Sequence, residues 1–357
     1  MEKNLKNFFE KTKREVEKII EKYLPRKVNE KWLNFVFGKL EYKISKNAIQ
    51  KAILNPIWDF LDRGGKRWRP ALFLLIAKSL GADIKKIKDF SVIPELAHNG
   101  SLIVDDIEDQ GELRRGKPCL HKIFGTDIAL NAGNFLYFLP ILIIKKKEKE
   151  IEGKLTQKIL KVYFEEMLNL HFGQGTDIFW HKGFQKEISE KEYFQMTAFK
   201  TGCMARLAAR MATILAKREE LEKIFGQFAQ SIGIAFQIQD DILDICLKGK
   251  EREKFGKSYG NDIKEGKKSL MVIYVLKKAT RKDKKRLLEI LEKHTEDEKE
   301  IREAISILEK YKSIDYAKNK AKNLVKKAWQ KVEKFLPQTR EKKLLYSFAK
   351  FLIERKI

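Results

Sequence analysis

Aspartates crowd the end of an apolar segment in the stretch HNGSLIVDDIED, residues 98–109. Asp105 and Asp109 are four positions apart, so a helix would place them one turn apart on the same face. Like charges at that spacing destabilise a helix, and a bound cation would remove the repulsion. Oxygen ligands without sulfur favour a hard ion such as Mg²⁺, which commonly takes one or two carboxylates plus substrate phosphates.

A second group of aspartates repeats this spacing. The stretch FQIQDDILD, residues 236–244, contains Asp240, Asp241 and Asp244 after another apolar run, with Gln237 one turn before them. One acidic cluster at a helix end is usually solvated surface, but two matching clusters are difficult to explain in that way. Two helices that present facing carboxylates can hold a metal cluster in the core of a bundle.

Basic residues occur near both acidic groups, in glycine-containing breaks of the helical pattern. Arginine binds phosphate through a bidentate fork and lysine binds it as a point charge. Each basic turn alone is ordinary surface, but their placement beside the aspartates indicates two anion sites and therefore two phosphorylated substrates. The residues concerned are Gly65, Lys66, Arg69, Arg114, Arg115, Lys200, Lys257, Asp262 and Lys267.

Helical periodicity dominates the chain of 357 residues, which is 43% hydrophobic and has only 7 prolines. This composition favours long helices around a large core, so we predict one all-α domain over residues 1–357. No segment shows strand periodicity. The predicted helices span 1–24, 45–62, 70–80, 88–109, 126–144, 155–180, 189–216, 218–247 and 262–280, with three or four more over 282–357.

The formal net charge is +25, from 75 basic and 50 acidic residues. The lysines are spread along the chain and no nucleic-acid-binding motif accompanies them, so a solvated surface is the simplest interpretation. Cys119, Cys203 and Cys246 lie far apart, which favours a reducing, cytoplasmic location over a disulfide framework. We expect no secretory signal, and no apolar run reaches the ~18 residues that span a bilayer.

These motifs together resemble the trans-isoprenyl diphosphate synthases. The blocks GGKR-x-R-P, DDxxD followed by RRG, KTG, FQxxDD-x-x-D and GK…D…GK occur in the family's order. The resemblance covers roughly residues 45–355, and the helices of residues 1–44 are less diagnostic. It implies an isoprenoid-synthase helical bundle around a deep central cavity and head-to-tail prenyl transfer, a step of isoprenoid biosynthesis.

The resemblance also assigns roles to individual residues. Asp105, Asp109 and Asp240 would bind three Mg²⁺ ions directly, with Asp106, Asp241 and Asp244 completing the acidic rims. The diphosphate of the allylic substrate would contact Arg114, Lys200, Lys257 and Lys267. Dipoles near Lys200, Thr201 and Gln237 would stabilise the allylic cation. Isopentenyl diphosphate would bind Gly65, Lys66, Arg69, His98 and Arg115. Released pyrophosphate would take the proton, so no protein nucleophile is required.

Product length depends on the residues that border the growing chain. Members of the family with short products carry aromatic residues one turn before the first aspartate, where this chain has Gly100 and Ser101. Their smallness indicates an open path and a product of about geranylgeranyl length. Phe135, Tyr137 and Phe138 are candidate plugs, although aromatic residues on an inner helix more often belong to the plain core. Longer-chain synthesis is the main rival, and farnesyl-length synthesis is a second.

Other classes of protein remain as alternatives. A terpene cyclase would use aspartate clusters but would not keep both complete DDxxD blocks and the basic turn. A non-catalytic partner subunit would generally lose the aspartates. A protein that binds nucleic acid or anionic membranes would explain the charge but not the paired carboxylates. We expect a homodimer, no nucleic-acid partner and at most peripheral membrane contact.

Overall fold

A computed structural model describes residues 2–247 and 259–354 of the chain. Helices form nearly all of the regular structure in these ranges, which confirms the all-α prediction. The only strands within the described ranges are β1 (Leu113–Arg114) and β2 (Lys117–Pro118), which pair antiparallel in the loop after the first acidic group.

The helices that precede residue 182 are interrupted by one π-helical and two 3-10 segments. They are α1 Glu2–Tyr23, α2 Glu30–Phe37, α3 Lys46–Ile49, the π segment Gln50–Leu54, α4 Asn55–Asp62, α5 Trp68–Ser79, α6 Ile84–Ile87, the 3-10 segment Lys88–Val92, α7 Ile93–Glu108, α8 Leu120–Phe124, α9 Thr126–Lys147, the 3-10 segment Glu148–Glu150 and α10 Gly153–His181.

The later helices include a second π segment. They are α11 Glu190–Thr197, the π segment Ala198–Gly202, α12 Cys203–Leu215, the 3-10 segment Glu219–Leu221, α13 Glu222–Cys246, α14 Asn261–Lys264, α15 Leu270–Lys278, α16 Arg281–Glu292, α17 Glu298–Lys310, α18 Ser313–Val332, the 3-10 segment Glu333–Phe335 and α19 Arg340–Glu354.

The described residues divide into two compact units. The first comprises the described parts of 1–163, 207–222 and 337–345, and the second those of 164–206, 223–336 and 346–357. In the first unit α7 packs along α9, and α1 packs beside α5. In the second unit α15 packs against α18 and α16 packs against α17. The single domain expected over residues 1–357 stays a prediction.

Several boundaries differ from those expected. Helix α2 and the short helix α8 lie where the sequence predicted none. The helix predicted over 262–280 was wrong, since α14 ends at Lys264 and α15 begins at Leu270. Gly266 has a φ of +68° in the break, a conformation that a continuing helix excludes. Ser269 then caps α15 by accepting a hydrogen bond from the Val272 N–H.

One helical stretch, Thr126–Glu150, has the length and apolar composition that crossing a membrane requires. Within its most apolar window 44% is buried by the protein itself, and a core helix meets the same criteria. The sequence expectation counted only uninterrupted apolar residues and so missed this stretch. Asn131 and Asn134 interrupt the apolar run without adding charge.

Candidate active site

The first acidic group occupies the last turns of α7, where the chain reverses. Asp109 ends the helix, and its N–H donates to the Asp105 carbonyl at 2.9 Å. Arg115 and Gly116 then adopt positive φ angles of 54° and 74° in the two-residue turn between β1 and β2. This tight hairpin turns the strand back, and Arg114 lies against the carboxylates it follows.

Arg114 binds two of the three aspartates. Its Nε donates to Asp106 Oδ1 at 2.7 Å, and its Nη2 lies 3.4 Å from Asp105 Oδ2. Burial raises the pKa of the Asp106 carboxyl although Arg114 opposes that shift. Burial also acts against the charge of Arg114, but Asp106 and Asp105 outweigh it and raise the pKa of the guanidinium. The first acidic group therefore already contains a positive charge, the Arg114 guanidinium, beside its crowded carboxylates.

The chemistry of this group fits a divalent cation shared with a ligand. Asp106 Oδ2 is buried and accepts no hydrogen bond, so one hard oxygen is available to an ion. No three His, Cys, Asp or Glu side chains among the described residues lie close enough to surround an ion by themselves. An ion here would therefore complete its shell with ligand oxygens or water, as Mg²⁺ commonly does.

The basic turn between α4 and α5 lies beside the start of α7. A Cβ added to Gly65 would be 3.3 Å from Arg115 Nη2, so this glycine lets the backbone approach the guanidinium. Arg69 is buried, with its guanidinium 4.4 Å from the Trp68 ring centre, whereas Lys66 is exposed. Burial and the neighbouring Arg69 and Arg115 hold the pKa of His98 well below its usual value. His98 is thus a neutral hydrogen-bonding group.

Three buried residues of this region escaped the sequence reasoning. They are Arg67, Glu95 and Asn99, which connect the basic turn, α7 and Arg115 through hydrogen bonds. The available signal was Glu95 itself, an acidic residue inside the otherwise apolar stretch IPELAH. A charged residue on a buried face needs a partner, and that requirement pointed to the arginines nearby.

The second acidic group lies in the last turns of α13, and its aspartates have different partners. Asp241 is buried and accepts hydrogen bonds from Gln237 Nε2 at 2.8 Å and from the Tyr193 hydroxyl at 3.1 Å. Burial and the nearby Asp262 raise the pKa of Asp241 to about 7. Asp244 Oδ2 accepts the Asp262 N–H at 3.0 Å, so this carboxylate also anchors the start of α14.

Lys200 and Thr201 lie in the π segment that separates α11 from α12. Thr201 Oγ1 donates to Gln237 Oε1 at 2.9 Å, which links the segment to Asp241 through Gln237. Lys200 Nζ donates to Asp177 Oδ2 at 2.6 Å. Burial acts to raise the pKa of Asp177, but Lys200 and Lys267 outweigh it and lower that pKa.

Close backbone contact fixes the π segment. A Cβ on Gly173 of α10 would lie 2.2 Å from the Lys200 nitrogen, and one on Gly233 would lie 2.7 Å from the Gly202 Cα. Only glycine fits at these contacts, because the atoms that a side chain would meet belong to the backbone. Lys267 pairs with Glu265 and lies 3.8 Å from Asp262 Oδ1. Lys257 lies outside the described residues.

The structure corrects the reading of Gly100. A Cβ at this position would be 2.7 Å from the Gly133 carbonyl oxygen and 3.0 Å from the Leu136 Cβ. Gly100 is small because α7 and α9 approach closely there, and it leaves no open path. Ser101 differs, since it is half-buried and its hydroxyl donates to the His98 carbonyl of the same helix at 2.9 Å.

The three aromatic candidates on α9 do not act alike. Phe138 was wrongly predicted as a plug, because its side chain is 65% exposed on the opposite side of the helix from the buried Ala132 and Leu136. Tyr137 packs its ring near Gly100, and burial raises the pKa of its hydroxyl. Phe135 is half-buried. Tyr137 and Phe135 stay predictions as chain-length residues.

The helical fold is that of the isoprenyl diphosphate synthases. The family model for polyprenyl synthetase matches residues 50–308, which is more than half of the chain. The chain belongs to the polyprenyl synthetase family. The resemblance read from the motifs and the prediction of a prenyltransferase are thereby confirmed.

Named relatives and a solved structure agree with this assignment. The geranylgeranyl pyrophosphate synthase of Geoglobus acetivorans is 33% identical over 299 residues, covering 83% of this chain and 88% of the relative. The geranylfarnesyl diphosphate synthase of Aeropyrum pernix is 34% identical over 302 residues, which cover 83% of this chain and 92% of the relative. The crystal structure of geranylgeranyl pyrophosphate synthetase from Pyrococcus horikoshii aligns with a TM-score of 0.83 and 31% identity. The alignment covers 98% of this chain and 99% of the solved chain.

Proposed function

We propose that the protein condenses isopentenyl diphosphate head to tail with dimethylallyl, geranyl and farnesyl diphosphates, and that it releases pyrophosphate at each step. The observation that carries this proposal is the pair of acidic helix ends, each joined to its own cationic or polar side chains in a member of this family. Arg114 serves the first group, and the linked Gln237 and Thr201 serve the second.

Mg²⁺ is the cofactor that these residues fit best. Asp105, Asp109 and Asp240 would hold the ions, with Asp106 and Asp244 beside them, and we propose three ions per active site. When bound, Mg²⁺ supplies Lewis-acid stabilisation of the diphosphate as that group leaves. The buried, unpartnered oxygen of Asp106 supports a cation at the first group. At the second group, burial and Asp262 raise the pKa of Asp241, and a bound cation would offset both effects.

The allylic diphosphate would bind the cationic side chains that stand beside the carboxylates. Arg114 already lies on Asp105 and Asp106, and Lys200 is held by Asp177. Lys257 and Lys267 complete the proposed set. Fixed cations of this kind stabilise the charge that develops on the leaving group. The Thr201 hydroxyl and the Gln237 amide would place their dipoles near the allylic cation, where an electron-rich but unreactive surface prevents side reactions.

Isopentenyl diphosphate would bind the basic turn through Gly65, Lys66, Arg69, His98 and Arg115. Because the pKa of His98 is depressed, its ring would bind as a neutral donor or acceptor and would leave the positive charge to the arginines. The diphosphate of isopentenyl diphosphate is not allylic and stays attached during condensation, so charge and hydrogen bonds here serve binding and orientation.

We propose geranylgeranyl diphosphate as the product. Ser101 is a small, half-buried residue one turn before Asp105, and the Geoglobus relative of matching length is named as a geranylgeranyl pyrophosphate synthase. The corrected role of Gly100 weakens the case for an open path at that residue and leaves Ser101 as the main support. The longer geranylfarnesyl product named for the Aeropyrum relative is the rival.

A homodimer and a cytoplasmic location complete the proposal. Helix α10 exposes Phe164, Leu168, Phe172 and Phe179 on one face, each between 48% and 62% exposed. An apolar stripe of that kind is typical of an interface, and a second copy would cover it. Cys119, Cys203 and Cys246 form no disulfide, which is consistent with a reducing compartment. Sedimentation of the purified protein measures its mass directly.

The proposed activity is tested by following pyrophosphate release. The purified protein is mixed with Mg²⁺, isopentenyl diphosphate and one allylic diphosphate, and each component is then omitted in turn. We expect release only when all three are present. We expect loss of activity in Asp105→Ala and in Asp240→Ala, while Glu112→Ala, an exposed carboxylate paired with Lys122, keeps it. Release that needs no isopentenyl diphosphate would instead indicate a terpene cyclase.

A further inference from the structure

A carboxylate is buried beside the basic turn. Glu95 lies in the first turn of α7 and is 3% exposed. Its Oε1 accepts a hydrogen bond from Arg67 Nη1 at 2.9 Å. Arg67 is buried as well, and its Nη2 donates to the Leu61 carbonyl at 2.9 Å. The guanidinium of Arg67 is therefore held from two sides.

The same carboxylate reaches a second arginine through an amide. Asn99 lies one turn after Glu95 and is fully buried. Its Nδ2 donates to Glu95 Oε1 at 3.1 Å and to the Glu95 carbonyl at 2.7 Å. Its Oδ1 accepts from Arg115 Nη2 at 3.1 Å. One buried carboxylate thus fixes Arg67 directly and Arg115 by way of Asn99.

Arg115 is confined by further contacts. Its Nη1 donates to the Phe60 carbonyl at 3.3 Å, and its guanidinium carbon lies 4.9 Å from the centre of the Phe60 ring. The backbone of Gly65 closes over the other side, since a Cβ there would be 3.3 Å from Nη2. A planar guanidinium held in this manner loses little freedom when it binds a phosphate.

The charge balance of the cluster favours an anionic ligand. Burial acts against ionisation, but Arg67, Arg69 and Arg115 outweigh it and lower the pKa of Glu95. Burial and Arg67 together lower the pKa of Arg115 to about 10, and Glu95 opposes that shift. Three guanidinium groups act on Glu95, and Asp106 adds a second carboxylate near Arg115, so the arginines outnumber the carboxylates. Buried charge of one sign is costly until a counterion arrives.

One atom argues against a purely structural role for Glu95. Its Oε2 is buried and has no hydrogen-bond partner. A carboxylate that served only to stabilise the fold would satisfy both oxygens, because a buried unpartnered oxygen costs stability. The unpartnered oxygen therefore points to a role for the carboxylate charge beyond packing.

We propose that Glu95 is a positioning residue for the isopentenyl diphosphate site, aligning Arg67 directly and Arg115 through Asn99 before the ligand arrives. The inference rests on the proposed function, in which Arg115 binds that diphosphate. Glu95 itself carries the same sign of charge as the ligand. It therefore acts on binding only through the arginines that it holds.

The test replaces Glu95 with the isosteric amide. Glu95→Gln keeps the shape but removes the charge that orders the arginines. We expect the KM for isopentenyl diphosphate to rise about tenfold, as for loss of a hydrogen bond to a charged group, with kcat and the KM for farnesyl diphosphate unchanged. Asn99→Leu removes the hydrogen bonds of Asn99 to Glu95 and Arg115 but leaves the contact between Glu95 and Arg67, so it should raise the same KM by a smaller factor. The double variant should be no worse than Glu95→Gln.

Asp89→Asn is the matched control. Asp89 is another buried, ion-paired carboxylate of the same compact unit, and it binds Lys22 and Tyr23 away from the basic turn. The Asp89→Asn variant should be less stable than wild type, while its KM values for isopentenyl diphosphate and farnesyl diphosphate stay at the wild-type level. The inference is wrong if Glu95→Gln leaves the KM for isopentenyl diphosphate within twofold of wild type, or raises the KM for farnesyl diphosphate as much.

A binding measurement separates this inference from the proposed function. Calorimetry with inorganic pyrophosphate, in buffer with a chelator to suppress metal-dependent binding, reports on the arginines without turnover. Wild type should bind about tenfold more tightly than Glu95→Gln. Equal binding overturns the inference even if condensation occurs. A wild type that binds pyrophosphate in this way but condenses nothing contradicts the proposed function alone. If Glu95→Gln does not fold, Asn99→Leu is judged by the same two measurements.

Discussion

Gly100 of α7 and Gly133 of α9 meet through their backbones. A Cβ on Gly100 would be 2.7 Å from the Gly133 carbonyl oxygen, and a Cβ on Gly133 would be 3.2 Å from the Gly100 carbonyl oxygen. Each glycine therefore permits the close approach of the helix that carries the first acidic group to its neighbour. Contacts of this type leave little room for even one added methyl group.

We expect Gly100→Ala to destabilise the protein. Because the new methyl would meet a backbone oxygen, which cannot rotate away, the helices must separate, at a cost of about 1–3 kcal/mol. Urea unfolding followed by circular dichroism measures the change. Gly153→Ala is the control, because a Cβ at that position meets nothing within 4 Å. If Gly100→Ala is as stable as wild type, α7 and α9 do not approach each other as closely as described.

Ser101→Phe should shorten the product. The serine hydroxyl bonds only within its own helix, so its replacement breaks no tertiary hydrogen bond among those described for it. A phenyl ring there would narrow the space one turn before Asp105, and the expected product is of farnesyl length or shorter with kcat largely kept. Chromatography of the products measures this. Phe138→Ala, at an exposed side chain, should leave the length unchanged. An unaltered product from Ser101→Phe would place the limiting wall elsewhere.

Much of the candidate site follows from the sequence because its chemistry is local. The spacing of Asp105 and Asp109 and of Asp240 and Asp244 determines a helix face, and charged residues in glycine turns stand out against apolar helices. Gly100 shows the limit of such reasoning. A small residue looks the same in sequence whether it faces a ligand or a neighbouring backbone, and only tertiary packing separates the two.

The missed positioning residues have the same explanation. Glu95 is a single acid in an apolar stretch, and its partner Arg67 lies 28 positions away. Likewise, Lys200 of the π segment donates a hydrogen bond to Asp177, which lies 23 positions earlier in the sequence. Non-local pairs leave no periodic signal, so the sequence predicted which residues carry charge but not which of them hold one another.

The buried Asp89 should make stability depend on acidity. Burial acts to raise its pKa, but hydrogen bonds from Lys22 and Tyr23 outweigh it and lower the pKa of Asp89 below 3.8. A depressed pKa contributes stability that is present above about pH 4 and is lost as the pH falls through the folded-state value. Asp89→Asn should therefore be less stable than wild type near neutral pH, and the gap should shrink in acid.

Urea unfolding of wild type and Asp89→Asn at about pH 6 and about pH 3 measures this dependence. The control is Asp127→Asn, which removes an exposed acid at the start of α9. A gap between wild type and Asp89→Asn that stays constant or widens in acid would show that Asp89 is not ionised and paired in the folded protein.

Magnesium should stabilise the protein more at higher pH. With a pKa of about 7, raised by burial and Asp262, folded Asp241 retains a proton that the unfolded chain loses near pH 4. Without an ion, stability therefore falls as the pH rises from about 4 to 7. A bound cation favours the ionised carboxylate, so Mg²⁺ with pyrophosphate should raise the unfolding temperature more at about pH 8 than at about pH 6.

Asp241→Asn should abolish that difference between the two pH values, because an amide carries no titrating proton. Thermal unfolding followed by circular dichroism provides the measurement, with Glu112→Gln as an exposed control that should behave like wild type. If Mg²⁺ and pyrophosphate raise the unfolding temperature of wild type equally at both pH values, Asp241 does not titrate next to the ion.

The size of the condensation product tests the central claim most directly. Purified protein is incubated with Mg²⁺, isopentenyl diphosphate and, in separate reactions, dimethylallyl, geranyl or farnesyl diphosphate, and the dephosphorylated products are measured by mass spectrometry. We expect geranylgeraniol as the main product from all three primers. Absence of condensation with every primer would contradict the proposed prenyl transfer, and products that end at farnesol or extend past geranylgeraniol would contradict the proposed length.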